Sequence, residues 1–214
     1  MRKGFKSMDY LKVLRTMCHC SKSFDKFMHR PTEYALADFL EDETDGDDDF
    51  SVVVESQELV VHCWHGKTKA CFYIPGEPRV IKIGFKDFKI NHAAREYEIY
   101  REAVDASVED FFVPCEKIGE IFQNPIFVMD FVDVDETRIT SDVFDHFEAG
   151  EACGIVDDDD GFVEALFPFY YNCDIDELMH FLYDHHVNDL HSGNIGYDMN
   201  GVIKLVDYSG YFPY

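Results

Sequence analysis

Four residues of the stretch VNDLHSGNIGYDMNGVIKLVDY, positions 187–208, have the types and spacing for phosphate chemistry: Asp189, His191, Asn194 and Asp207. Asn194 and Asp207 offer oxygen donors of the kind that Mg²⁺ prefers, an ion that usually keeps several waters and binds phosphate oxygens as well. Mn²⁺ accepts the same ligands. Asp189, five residues before Asn194, could accept or orient a hydroxyl proton, and His191 could donate to a phosphate in transfer. A plainer role exists for each: Asp189 and Asn194 as turn caps, His191 as a structural hydrogen-bond donor.

These residues need elements to bring them together. Ile195–Tyr197 and Val202–Val206 read as strands flanking DMNG, whose Asn200-Gly201 pair favours a tight hairpin turn. Such a hairpin returns Asp207 beside Asn194. Upstream, DIDELMHFLYDHH predicts a helix, with Asp174 and Glu177 as a capping box and Ile175, Leu178, Met179 and Leu182 as its apolar face. The stretch 135–173, with its acid run Asp157–Asp160, shows no clear pattern.

Earlier in the chain, SVVVES, ELVVHCWH, TKACFYIP and RVIKIGF read as four strands of an antiparallel sheet. INHAAREYEIYREAV then predicts a helix, with Ala93, Tyr97, Tyr100 and Val104 along one stripe and Glu96 beside Tyr100 and Ala103 on an adjoining face. FFVPCEKIGEIF and PIFVMDFVDVDE return to strand character up to about residue 134. PTEYALADFLEDE predicts a short helix capped by Thr32, running into the acidic loop EDETDGDDD at 41–49. The simplest assembly is a sheet-plus-helix lobe followed by a mainly helical one.

Charge narrows the partners. The formal net charge is -24, which argues against direct binding to nucleic-acid phosphates and favours a basic protein or a metal-bound nucleotide. Residues 1–30 are the exception, with eight Lys and Arg against Asp9 and Asp25. This basic arm is expected to fold back onto the acidic body, with a separate docking role as the alternative. Seven cysteines without a regular framework read as reduced thiols in a cytosol, and Cys18-His19-Cys20 lacks a second pair at zinc spacing. No signal peptide and no apolar run of membrane-spanning length are evident. Oligomeric state is not legible in these residues.

DLHSGN, in register with Asp207, resembles the catalytic and metal-binding loops of the protein kinase-like superfamily, most closely the D-L-H-x-x-N form of its aminoglycoside-phosphotransferase and RIO-type branches. RVIKIG resembles the strand bearing the nucleotide-phosphate lysine, which would be Lys82. REYEIYREA resembles the following helix, whose acid holds that lysine and would be Glu96. IFVMDFV is similar to the strand entering the hinge, with Met129 at the adenine pocket and backbone from Asp130 to Val132 at the adenine edge. RVIKIGFK and DLHSGNI look most like the small early serine/threonine kinase of some tailed bacteriophages.

That resemblance, over about residues 50–208, implies a reduced two-lobed α+β fold: an antiparallel N-lobe sheet with one helix, and a minimal helical C-lobe ending after the metal-binding Asp strand. Its divisions would be a basic arm at 1–31, a short helix and acidic loop at 32–50, an N-lobe at 51–132 and a C-lobe at 133–214. It implies ATP- and Mg²⁺-dependent phosphorylation of host proteins in the host cytoplasm. The pattern departs in places. Gly66 stands alone where the phosphate-covering loop has several glycines, Val187 and Asn188 replace His and Arg, and Tyr208-Ser209 replaces Phe-Gly. No activation segment or distal helices follow Asp207 before Tyr214, so either a partner docks the substrate or the sequence is a piece of a longer one.

Rival functions remain open. A kinase-derived acidic protein could inhibit a host protein by occupying its basic surface. A small-molecule phosphotransferase or a nucleotidyl transferase would use the same motif residues.

Overall fold

The computed structural model describes residues 8–44, 48–134, 175–187 and 192–210, and divides into two compact units. The first comprises Met1–Ala94 with Glu116–Met129, the second Arg95–Cys115 with Asp130–Tyr214. The stretch 135–174, including Asp174 and the acid run at 157–160, lies outside the described residues.

The first unit opens with three helices, α1 (Tyr10–Cys20), α2 (Lys22–His29) and α3 (Glu33–Glu43). Each starts on a side-chain cap: Asp9 accepts from Lys12 N–H, Ser21 from Phe24 N–H and Thr32 from Ala35 N–H, satisfying donors that a first helical turn leaves free. Residues 10–29, expected within a basic arm, thus form two helices. Their apolar residues recur at helical spacing and are fully buried: Val13, Leu14 and Met17 on α1, Phe24, Phe27 and Met28 on α2. The basic side chains lie on the outer faces, where Lys26 pairs with Asp38 at 2.8 Å and Lys12 pairs with Glu55. The acidic run is also more ordered than a loop at both ends, since Glu41–Glu43 continue α3 and Asp49 begins a strand.

The sheet has six antiparallel strands in the order β1-β2-β3-β4-β6-β5. These are β1 (Asp49–Val54), β2 (Gln57–His65), β3 (Lys69–Tyr73), β4 (Arg79–Gly84), β5 (Cys115–Ile121) and β6 (Asn124–Asp130). Side chains alternate along β1 and β2, with Phe50, Val52, Leu59, Val61 and Cys63 buried and Val53, Val60 and Trp64 exposed. The buried face meets the helices in an aromatic cluster, where Phe24 sits 5.0 Å from Phe39 and 5.6 Å from Phe72, ring centre to ring centre. Asn124 donates from Nδ2 to the Met28 carbonyl, and Lys86 N–H reaches Pro31 O at 2.7 Å, tying sheet to helices.

Helix α4 (His92–Asp105) follows, with Asn91 Oδ1 accepting Ala94 N–H at 3.0 Å. Its inward stripe differs from the expected one. Ala93, Glu96, Ile99 and Ala103 are buried, whereas Val104 is 44% exposed and Tyr97 and Tyr100 are half-buried. Tyrosine has a polar tip that favours a position at the rim, while two alanines and an isoleucine let the helix pack closely.

The second unit is built around Phe112. Its ring contacts Tyr208 at 5.0 Å and Phe181 at 5.6 Å, both edge-on. Phe181 belongs to α5 (Ile175–Asp184), which buries Leu178, Phe181 and Leu182 and leaves Met179 half-buried. His185 pairs with Glu102 at 2.9 Å and its carbonyl accepts from Arg95 at 3.1 Å. A hairpin of β7 (Ile195–Tyr197) and β8 (Ile203–Leu205) completes the unit. No helix among the described residues is long and apolar enough to cross a membrane.

Candidate functional site

The hairpin β7–β8 turns around the Asn-Gly pair, but through the three-residue loop Met199–Gly201 rather than a two-residue Asn-Gly turn, which shifts the register by one. Ile195 pairs with Leu205 and Tyr197 with Ile203. The connecting turn closes with Gly201 N–H on Asp198 O at 2.9 Å, and Asp198 Oδ1 accepts from the backbone of Asn200 and Val202 at 2.8 and 2.9 Å. Gly201 carries the positive φ of 77° that a turn followed by a left-handed residue requires, whereas Asn200 does not. At the open end, Val206 N–H donates to Asn194 O at 2.8 Å. Asn194 and the residue before Asp207 are therefore bonded neighbours.

The hairpin is held from both sides within its unit. Asp133 and Tyr197 exchange backbone hydrogen bonds at 2.9 Å each, and Val113 N–H donates to Leu205 O at 2.9 Å. A Cβ on Gly196 would come within 2.9 Å of Val132 Cγ2 and 3.0 Å of Asp133 O, so this backbone approach requires glycine. Asn194 is buried and Asp207 half-buried, with Ser209 Oγ 3.4 Å from Asp207 Oδ1. Tyr208 is fully buried and donates to Val113 O at 2.7 Å; Ser209 is also buried. Burial, followed by the charges of neighbours that include Glu96 and Asp207, raises the Tyr208 hydroxyl well above its ordinary range. Glu96 is thus near the hairpin's last residues, inside the second unit. Of Glu96 and Glu98, two residues apart on this helix, Glu96 is buried and Glu98 is exposed.

Asp189 and His191 lie outside the described residues, between Val187 and Ser192. Among the described residues no group of three His, Cys, Asp or Glu is placed to hold a metal. That includes Cys18-His19-Cys20. Asn194 and Asp207 still suit Mg²⁺, because an amide and a carboxylate supply hard oxygens and this ion leaves its other positions to water and phosphate.

In the first unit, Lys82 lies on β4 and is buried. It pairs across the sheet with Cys71, which pairs in turn with Trp64. Directly opposed residues share a face, so Trp64, Cys71 and Lys82 form one row across three strands. The next row is His62, Tyr73 and Val80, with the His62 and Tyr73 rings stacked at 6.2 Å. Sequence reasoning singled out Lys82 and missed Trp64, because cross-strand neighbours are far apart along the chain. The alternation of β2 was the available signal. Gly66 sits in the short turn between β2 and β3, its N–H on Lys69 O at 3.1 Å, with open space where a Cβ would project. Met129 is buried on β6; Asp130 ends that strand, and Val132 is buried against the hairpin.

No family model and no curated protein matches this chain.

Proposed function

We propose that this chain is a reduced kinase-like phosphotransferase that moves the γ-phosphate of Mg-ATP to a Ser or Thr of a protein, as the small phage-type kinases do. The observation that carries this reading is the base of the β7–β8 hairpin, where Asn194 and the 206–207 segment are joined by the 2.8 Å hydrogen bond from Val206 to Asn194. Further support comes from chain order: a buried lysine on a sheet strand, then a helix with a buried glutamate, then two strands, α5 and the hairpin.

In this reading Lys82 holds the nucleotide phosphates and Glu96 holds Lys82. Gly66 lies at the phosphate loop, and Met129, Asp130 and Val132 lie at the adenine. Asp189 takes or orients the acceptor hydroxyl proton, and His191 donates to the phosphate being transferred. Asn194 and Asp207 would hold Mg²⁺, which when bound neutralises charge on the phosphate oxygens. Positioning and electrostatics are the whole of the protein's task in such a reaction.

The test is incubation with Mg²⁺ and ATP labelled at the γ- or the α-phosphate, with a bacterial lysate as acceptor. Protein label from γ only, lost in Asp189→Ala and Asp207→Ala, is the expected result. Label from α would replace this reading with nucleotidyl transfer, and no label from a folded sample would sink catalysis.

The net charge of -24 favours a second reading, an acidic inhibitor that covers a basic surface of another protein. In that case a captured partner stays bound to Lys82→Ala and Asp207→Ala but is released by salt.

A further inference from the structure

Strand β1 closes one end of the sheet and β5 the other. An edge strand offers a row of unpaired backbone groups to any extended chain, and charged side chains are a common guard against such pairing. β5 has that guard, with Glu116, Lys117 and Glu120 all exposed. The middle of β1 lacks it, since its exposed residues are Ser51 and Val53.

The register shows which groups of β1 face outward. Cys63 N–H donates to Asp48 O at 2.8 Å, so 48 and 63 form a hydrogen-bonded pair. Bonded and non-bonded pairs alternate along an antiparallel ladder. Phe50, Val52 and Val54 therefore bond to Val61, Leu59 and Gln57, and the N–H and C=O groups of Ser51 and Val53 point away from β2. Among the described residues these outward groups have no hydrogen-bond partner. Val53 is 60% exposed, and Val60, 40% exposed, stands across from Ser51 on the same face. The edge thus combines backbone donors and acceptors with an apolar lip.

The charges at its two ends select the kind of chain that fits. Asp49 is held by His62 and Glu55 by Lys12. Asp48 precedes the strand and Glu58 stands across from Val53; both are exposed, and neither has an ion pair among the described residues. Two carboxylates stay unanswered even when His62 is protonated. A second copy of this chain would set the same acidic edge, and a net charge of -24, against its own like.

We propose that the β1 edge binds an extended basic peptide segment of a partner protein, which adds a seventh strand beside Ser51 and Val53 and brings Lys or Arg to Asp48 and Glu58. The backbone supplies affinity and the acids supply the choice of partner. This docking is independent of phosphoryl transfer and is read without nucleotide.

The test titrates the full chain into a labelled, end-capped octapeptide of alternating Lys and Val, by fluorescence anisotropy at about 0.15 M salt, where surface charge is screened within about 8 Å. Beside it stand the Glu-Val counterpart and the Lys-Val peptide with every backbone nitrogen methylated. Saturable binding of the unmethylated Lys-Val peptide alone is expected, with the Ser51 and Val53 amides becoming protected from hydrogen exchange. Val53→Pro removes an outward N–H and spares the ladder to β2, so it should weaken binding about tenfold. Val53→Lys, at an exposed position that keeps the backbone intact, should weaken it about threefold or more with an unchanged urea midpoint. Asp48→Asn combined with Glu58→Gln should weaken it by about threefold to tenfold. Equal binding of the Glu-Val or the methylated peptide, undiminished binding to Val53→Lys, or no saturation with the Lys-Val peptide overturns the proposal. A dimer in sedimentation without peptide, with the same two amides protected, would make the occupant a second copy and overturn it equally.

Discussion

Replacing Phe24 by Ala tests whether the N-terminal helices are part of the first unit's core. The ring is fully buried and touches three others, Phe39 at 5.0 Å, Phe72 at 5.6 Å and Phe27 at 5.8 Å. Truncating a buried Phe to Ala costs about 3–5 kcal/mol. The upper part of that range applies, because each lost ring pair adds about 0.5–1.5 kcal/mol beyond its area. The walls come from α2, α3 and β3, so the cavity cannot close without moving a helix off the sheet. Against a total stability of about 5–15 kcal/mol, this is a third or more of what holds the fold. The single Trp64, 41% exposed on β2, reports unfolding of the same unit by fluorescence. With a urea slope of about 2 kcal/mol per molar, the midpoint should fall by roughly 2 M. Lys22→Ala, at an exposed position of α2, should stay within about 0.5 kcal/mol of the parent. A Phe24→Ala midpoint within roughly 0.3 M of the parent would show that the helices add nothing to the core, and the packing argument would fail.

The β1–β2 turn holds Glu55 and Ser56 at φ of 51° and 69°, so Ser56→Gly should raise the urea midpoint, with relief of about 1–2 kcal/mol partly offset by the freedom of glycine in the unfolded chain. Gly201→Val should destabilise the hairpin by about 1–2 kcal/mol and speed hydrogen exchange at Val206 N–H. Tyr208→Phe leaves the Val113 carbonyl without its buried donor and should cost about 1–3 kcal/mol by calorimetry. The same variant has a pH signature. The unfolded chain loses the Tyr208 proton as pH passes 10, while the folded chain keeps it, so native protein binds more protons and stability falls as pH rises above 10. Below pH 10 this group contributes no slope, and Tyr208→Phe should flatten the alkaline limb relative to the parent.

Strands β1–β4, helices α3, α4 and α5 and the final hairpin were legible because their periodicity and turn residues are local signals. Thr32 as a cap and Asn200-Gly201 as a turn are of that kind. Helices α1 and α2 were masked by their charge: counting Lys and Arg describes the outer face, while Val13, Leu14, Met17, Phe24, Phe27 and Met28 carry the helical period. The stripe of α4 was misassigned by about one residue, because apolar scoring passes over a buried acid, and Glu96 sits in that stripe. At the site, the closeness of Asn194 to the 206–207 segment follows from the turn between them. The row from Trp64 through Cys71 to Lys82 depends on the pairing of three strands, and no local spacing encodes it. The burial of Tyr208 against Phe112 likewise joins residues far apart in the chain and has no local signal.

The two units differ in when their parts become available during synthesis. Every strand and helix of the first is complete once Met129 has been added, whereas Phe112 and Val113 of the second wait for Leu205 and Tyr208. At about 5–20 residues per second, the interval from residue 130 to 208 lasts roughly 4–16 s, far longer than the microseconds in which a chain of this size collapses. Through that interval the nascent chain carries a finished sheet-and-helix body and an apolar pair, Phe112 and Val113, whose partners Leu205 and Tyr208 do not yet exist. Maturation of the second unit is paced by the ribosome, and the waiting segment is where a chaperone would find its purchase.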